Sequence, residues 1–187
     1  FPIFQVYKPL ALRYKRNMQD LVIKSYGDLV FHKTIGELIK EHSENKEDIR
    51  EVAKRLINFD EIHDILDIGC GYGWFEESLA NGFHSILGID CLESNEQGFL
   101  SVAKRVAPKS FFRQMLLPAP IDVEVASFDL IISAYSLYFF PDVLPEVRRV
   151  LRPRGTFLII THSASMLEEG EEFFNFSNLR QVINNFS

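Results

Sequence analysis

Cysteine is scarce in this chain: Cys70 and Cys91 are the only two. Two cysteines build no disulfide framework, so a reducing compartment, the cytoplasm, is the expected location. Long apolar runs are lacking too. No stretch reaches the roughly 18–20 residues that a membrane helix needs. The longest, residues 130–140, is shorter and carries two serines. No signal peptide is visible. Positive charge is also in short supply, the formal net charge being −6. Non-specific binding to phosphate backbones rests on clustered Lys and Arg, so nucleic acid is disfavoured as a partner. The first 24 residues are a local exception, with Lys8, Arg13, Lys15, Arg16 and Lys24 against Asp20 alone. They read as a solvated helix face. Repeats and low-complexity segments are absent. Position 1 holds Phe1 rather than Met, so an N-terminal piece is expected to be missing.

Apolar bulk is abundant. Of 187 residues, 47% are hydrophobic and 17 are Phe. That is enough to bury the core of one globular domain, and it excludes a disordered chain.

Apolar residues recur at three- and four-residue intervals over residues 9–59, which read as helical. Asn45 followed by Asp48 is the expected N-cap and N3 pair of a helix over 46–58. The pattern then changes. The short apolar runs "ILDIG", "SILGID", "SFFRQM", "FDLIISA" and "GTFLIITH" read as five strands. Helices are expected at 74–81, 95–107 (stopped by Pro108), 145–151 and 179–185. Continuous apolar strands alternating with helices imply parallel pairing covered on both faces, an α/β doubly wound and mostly parallel sheet. Ligands bind such sheets beyond the carboxyl ends of the strands.

That edge should carry "DIGCGYG", residues 67–73. Gly69, Gly71 and Gly73 follow the first strand, and Asp67 stands two places before the first glycine. Bare glycines let a ligand approach the main chain. A helix opening there would offer free N–H groups. A dinucleotide fingerprint needs glycine where Trp74 stands, and Asp67 would repel phosphate. The acid suits an ammonium instead. Asp90 ends the second strand, at the spacing where an acid accepts ribose hydroxyls. An amino acid end together with a ribose describes S-adenosylmethionine.

The motifs "ILDIGCGYG", "ILGID", "FDLIISAYSLYFFPD" and "VRRVLRPRGTFLII" stand in the order and spacing of the class I S-adenosylmethionine-dependent methyltransferases. The chain resembles that family, and within it the small-molecule, type 11-like group, from about residue 62 to 162. The resemblance implies a Rossmann-like methyltransferase fold, with a domain over 61–187 and an N-terminal helical cap or lid over 1–60. It implies that Asp67, Gly69 and Gly71 line the methionine end of the cofactor, with Ser133 beside it, and that Cys70 and Tyr72 also belong to the cofactor site. It implies Asp90 at the ribose and Cys91 and Leu92 near the adenine. The acid that family members often place after the third strand is replaced by Arg113 or Gln114, so adenine recognition falls to Gln114 or to the backbone near Met115 and Leu116. The usual Pro-Gly-Gly before the fifth strand reads Pro153, Arg154, Gly155.

Direct methyl transfer requires positioning above all. His162, at the end of the fifth strand, and Tyr135, after the fourth, are the candidate catalytic residues; no metal ligand set is expected. Tyr72, Trp74, Tyr135 and Tyr138 are expected near the ligand edge, where ring faces suit a sulfonium; Trp74 and Tyr138 read rather as core or rim packing, and Tyr72 and Tyr135 as packing or ligand contact alike. Cys70 and Cys91 are expected at adjacent strand ends, as apolar filler rather than a redox pair. The acceptor is expected to be a small molecule with an O- or N-nucleophile, under a lid of Phe1, Phe4, Tyr7 and Tyr14. Nothing in the pattern implies a membrane partner. The family sheet has two further strands after the fifth, so the chain is expected either to be a fragment or to use a protein partner or self-association at the fifth-strand edge. A catalytically inert, cofactor-binding subunit that activates a partner methyltransferase is the alternative reading.

Overall fold

The computed structural model describes residues 29–42 and 45–162. The N-terminal basic cluster, the aromatic lid and the helix expected at 179–185 lie outside the described residues.

Five strands form one sheet: β1 (Asp64–Ile68), β2 (Ser85–Asp90), β3 (Lys109–Gln114), β4 (Phe128–Ala134) and β5 (Leu151–Ile160). Their order is β3-β2-β1-β4-β5 and every pairing is parallel. Chain order reverses between β1 and β4, so the switch point lies beside the carboxyl end of β1. Side chains of a strand alternate between faces. Ile65 and Leu130 therefore enter one core layer with Phe75, Phe99, Ala103 and Val106. Leu66, Ile68, Leu87, Ile89 and Ile131 enter the other with Val143, Val147 and Val150. Both faces of the three central strands are covered, which is why those segments read as unbroken apolar runs.

Four α-helices are described: α1 (Leu29–His42), α2 (Ile49–Arg55), α3 (Glu96–Val106) and α4 (Leu144–Val150). α3 supplies the first layer and α4 the second. Among the described residues, no helix is long and apolar enough to cross a membrane.

Three local expectations are corrected. The N-cap of α2 is Asp48, whose Oδ1 accepts the Arg50 N–H at 2.9 Å. Asn45 instead closes a turn by accepting the Glu47 N–H at 2.9 Å, so the helix starts at Ile49. Residues 74–81 form no α-helix. Only the 3-10 turn Glu76–Ser78 follows the glycine loop, and Leu79 returns to extended backbone. Burial of Phe75 and Glu76 pins this segment by tertiary contacts, and with no helix there is no helix N-terminus for an anion. β5 begins at Leu151, before Gly155, and a register irregularity opposite Phe128 and Leu130 accommodates the early start.

The lower end of the sheet is locked by charge. Arg152 donates to Asp129 at 2.7 Å and to Asp64 at 2.9 Å. Asp129 also accepts the N–H groups of His63 and Asp64. This leaves the opposite end free for a site.

Candidate functional site

The chain turns sharply where β1 ends. Gly69, Gly71 and Gly73 all take positive φ, at 75°, 52° and 87°, a region that side chains rarely adopt. Each has its own reason. A Cβ on Gly69 would stand 2.4 Å from Ser136 Cβ, and one on Gly73 3.2 Å from Val102 Cβ. A Cβ on Gly71 would meet nothing within 4 Å. The first and third glycines are therefore demanded by packing, while the middle one faces open space.

Hydrogen bonds hold this shape. The N–H groups of Gly69 and Cys70 both donate to Ile89 O, at 2.7 and 3.1 Å. Asp90 Oδ2 accepts the Gly71 N–H at 2.9 Å and Oδ1 the Leu92 N–H at 2.9 Å. The Asp90 carbonyl accepts the Met115 N–H at 2.8 Å. Asp90 thus joins the glycine loop, its own loop and the start of the segment after β3. On the other side, Ser136 donates to Ile68 O at 2.7 Å and bonds Ser133 Oγ at 2.7 Å.

Two carboxyls are buried beneath the loop, Asp67 with 2% of its surface exposed and Glu76 with 1%. They lie close enough to bear on each other's protonation, and among the described residues Asp67 Oδ1 and both Glu76 oxygens have no hydrogen-bond partner. Two carboxylates offer only acceptors, so a bond between them forms only when one carboxyl is protonated. Burial, then the Glu76 charge, pushes Asp67 well above the usual carboxylate range. Burial pushes Glu76 up to about 7.

Beside the loop stands an aromatic wall. The Tyr135 ring lies 5.8 Å from Trp74 and 4.6 Å from His162, and His162 lies 6.1 Å from Tyr138. Tyr135 is held at φ 55°, a strained value for a tyrosine, with its N–H on Ile160 O at 2.7 Å. Burial lowers the His162 imidazole, which keeps it neutral near pH 7. Burial and then the Asp48 charge raise the Tyr135 phenol. Arg50 of α2 caps the wall. Its guanidinium sits 4.7 Å over Trp74, donates to Trp74 O at 2.7 Å and forks onto Asp48. From α1, Lys33 lies 4.4 Å over the Tyr72 ring.

Most of the residues singled out in the sequence gather at this edge. His162 and Tyr135, far apart in the chain, are in ring contact. Cys91 and Leu92 are half-buried beside Asp90, and Gln114 donates to Cys91 O at 3.3 Å. Met115 is partly buried, whereas Leu116 is 50% exposed. Ser133 is fully buried and bonded to Ser136, whose Cβ lies where a side chain on Gly69 would stand. Tyr138 is buried. Cys70 and Cys91 are free thiols, both raised first by burial, so neither is poised as a thiolate. Sequence reasoning passed over Glu76, Ser136 and Arg50. Glu76 and Glu77 are adjacent and alike in sequence, and only the fold separates buried Glu76 from exposed Glu77.

This geometry has relatives. The methyltransferase domain family matches residues 66–159, half of the chain. The "Uncharacterized methyltransferase YcgJ" of Bacillus subtilis (strain 168) is 32% identical over 123 residues, covering 62% of this chain and 47% of that protein. Its crystal structure superposes with a TM-score of 0.51 at 28% identity, over 60% of this chain and 50% of that one. A chain from the complex between the Haloferax volcanii Trm112 methyltransferase activator and a methyltransferase shares the fold. There the TM-score is 0.54 at 19% identity, over 72% and 64% of the two chains. The [4+2]-cyclase SpnF shares it too, with a TM-score of 0.51 at 20% identity over 59% and 43%. The chain spans about half the length of the curated relative it matches. With its parallel sheet, glycine turn and paired strand-end aspartates, the chain belongs to the methyltransferase domain family, whose cofactor is S-adenosylmethionine.

Proposed function

We propose that this chain transfers a methyl group from S-adenosylmethionine to an oxygen or nitrogen of a small-molecule acceptor. The observation that carries the reading is Gly71: a left-handed residue, held by Asp90, with open space where a side chain would stand.

The residues fit such a cofactor. Among the described residues Asp67 Oδ1 is buried and has no partner, which matches an ammonium. Asp90 has used one lone pair on each oxygen, and a carboxylate has about four in all, so acceptors for ribose hydroxyls remain. Gly69, Cys70, Gly71 and Tyr72 would hold the methionine end, with Ser133 acting at one remove through Ser136. Cys91, Leu92, Gln114, Met115 and Leu116 would border the adenine. When bound, the cofactor supplies an electrophilic methyl group.

The chain's own part is to orient and to exclude water. Trp74, Tyr135 and His162 would wall the acceptor side, and their ring faces favour a positive centre. His162, kept neutral by burial, is the group able to take a proton from a hydroxyl or ammonium acceptor. Helices α1 and α2 would act as the cap. The contacts of Lys33 with Tyr72 and of Arg50 with Trp74 support that role.

Calorimetry with S-adenosylmethionine and S-adenosylhomocysteine, beside an excess of nicotinamide dinucleotide as control, tests the reading. Heat with the first two and none with the third is expected. Silence with both adenosyl compounds would refute it.

A further inference from the structure

The reaction leaves Glu76 unexplained. Its carboxyl is buried, bears on that of Asp67, and among the described residues has no hydrogen-bond partner on either oxygen. A buried glutamate with no partner is costly unless it is protonated or serves something.

Among the described residues no cation bonds the pair: Lys54 of α2 reaches the same 3-10 turn but donates to Ser78 O at 2.7 Å and pairs with Glu51. Asp90 bears on the pair from the end of β2, Glu77 from the same 3-10 turn, and the Cys70 thiol from the glycine loop. The first two are acids and the thiol stays neutral, so none supplies compensation. Arg50 of α2 is forked onto Asp48 and lies 3.7 Å from Glu77. Ser136, at the end of β4, already donates to Ile68 O. Two like charges close together inside a protein do not both persist, and the pair titrates as a unit.

We propose that Asp67 and Glu76 share a proton in the ligand-free protein, and that the ammonium end of an S-adenosyl ligand displaces it to solvent. Occupancy of the site is then linked to pH. This rests on the cofactor reading above. The exchange balances: one cation enters, one proton leaves to the buffer, and no bond other than hydrogen bonds changes. Glu76 acts through Asp67 as a positioning and proton-holding residue. The burial that raises both carboxyls sets the window. Below about pH 7 the free pair carries an extra proton, and the bound pair releases it.

Calorimetry of S-adenosylhomocysteine with the full chain, in two buffers of different ionisation enthalpy, counts the protons. Close to one proton released per ligand is expected at about pH 6, with affinity rising about tenfold per pH unit toward pH 7 and levelling above it. Glu76→Gln gives Asp67 an amide donor, so binding should persist with little proton release and a flat pH profile. Binding by the wild type without proton exchange across that range overturns the proposal, as does release by Glu76→Gln equal to wild type. Absence of heat at every pH overturns the displacement together with the cofactor reading. In that event the infrared carbonyl band of a protonated acid in the ligand-free chain decides the shared proton alone, and loss of that band in Glu76→Gln is the result that supports it.

Discussion

Asp90 and Gly71 are joined at 2.9 Å, the carboxylate of one strand end accepting the main-chain N–H of a loop that belongs to its neighbour. The acid is thus a brace for the turn before it is a ligand. Asp90→Ala removes the acceptors of both the Gly71 and Leu92 N–H groups. Unfolding should show a loss of about 1–3 kcal/mol, and S-adenosylhomocysteine should bind at least about tenfold more weakly, since one pKa-sized loss of 1.4 kcal/mol is a factor of ten. Unchanged affinity would place the ribose elsewhere.

The glycines separate folding from binding. Gly69→Ala drives a Cβ to 2.4 Å from Ser136, adding a clash to the left-handed penalty of about 1–2 kcal/mol. Gly71→Ala meets no atom within 4 Å and should bear only that penalty. Its thermal stability should fall less than that of Gly69→Ala, while its cofactor affinity should collapse. Equal cofactor affinity for Gly71→Ala and wild type would mean that the open face is not the ligand's.

The pH dependence of stability should carry the mark of Glu76. Its folded pKa is raised, to about 7 from an ordinary 4.5. A raised acid contributes stability that is fully present below its ordinary pKa and lost as pH climbs through the folded value. The ligand-free wild type should therefore lose on the order of 3 kcal/mol relative to Glu76→Gln between about pH 4.5 and 7. Thermal scans of both proteins across that range measure it, and parallel curves would count against it.

Arg152 should give the opposite slope. Burial alone would raise Asp64 and Asp129. Bonds from Ser85, His84 and Arg152 outweigh it at Asp64, and those from Arg152 and two backbone N–H groups outweigh it at Asp129, so both sit below the ordinary range. Their contribution is present above the ordinary carboxylate pKa and lost as pH falls through the lowered values. Arg152 is 36% exposed, so solvent screening limits Arg152→Met to about 1 kcal/mol at neutral pH. The variant should lose less than wild type on acidification below about pH 4. Denaturant titrations at neutral and acid pH measure both effects.

The aromatic wall should govern turnover. Tyr135→Ala is expected to raise the acceptor KM and lower kcat/KM by about 10–100-fold, with S-adenosylhomocysteine affinity little changed. Trp74 is the chain's single tryptophan and lies 5.8 Å from Tyr135, so its emission reports ligand entry directly. His162→Gln should lower kcat by about 10²–10⁴ if the acceptor must lose a proton. It should also erase an acidic limb lying below the ordinary histidine pKa, because burial lowers that group. A pH–rate profile identical to wild type would remove His162 from the reaction.

What the sequence alone determined were the features with a local physical cause. Uninterrupted apolar runs mark strands covered on both faces, so β1, β2 and β4 could be read from their own residues. The glycine triplet and the aspartates before and after it carry their chemistry at fixed spacing, and Asp67, Gly71 and Asp90 were legible for that reason. Tertiary structure decided whatever depends on a neighbour distant in the chain. Asp48 rather than Asn45 caps α2, and the same Asp48 receives the fork of Arg50, which itself lies on Trp74. Residues 74–81 have helical composition but are pinned by the burial of Phe75 and Glu76. Ser136 reaches Ile68 O because β4 lies beside β1, and Tyr135 meets His162 only because β4 lies beside β5. Periodicity reports how much of a segment is buried. It does not report against what, and Glu76 and Glu77, identical in sequence terms, differ only in that.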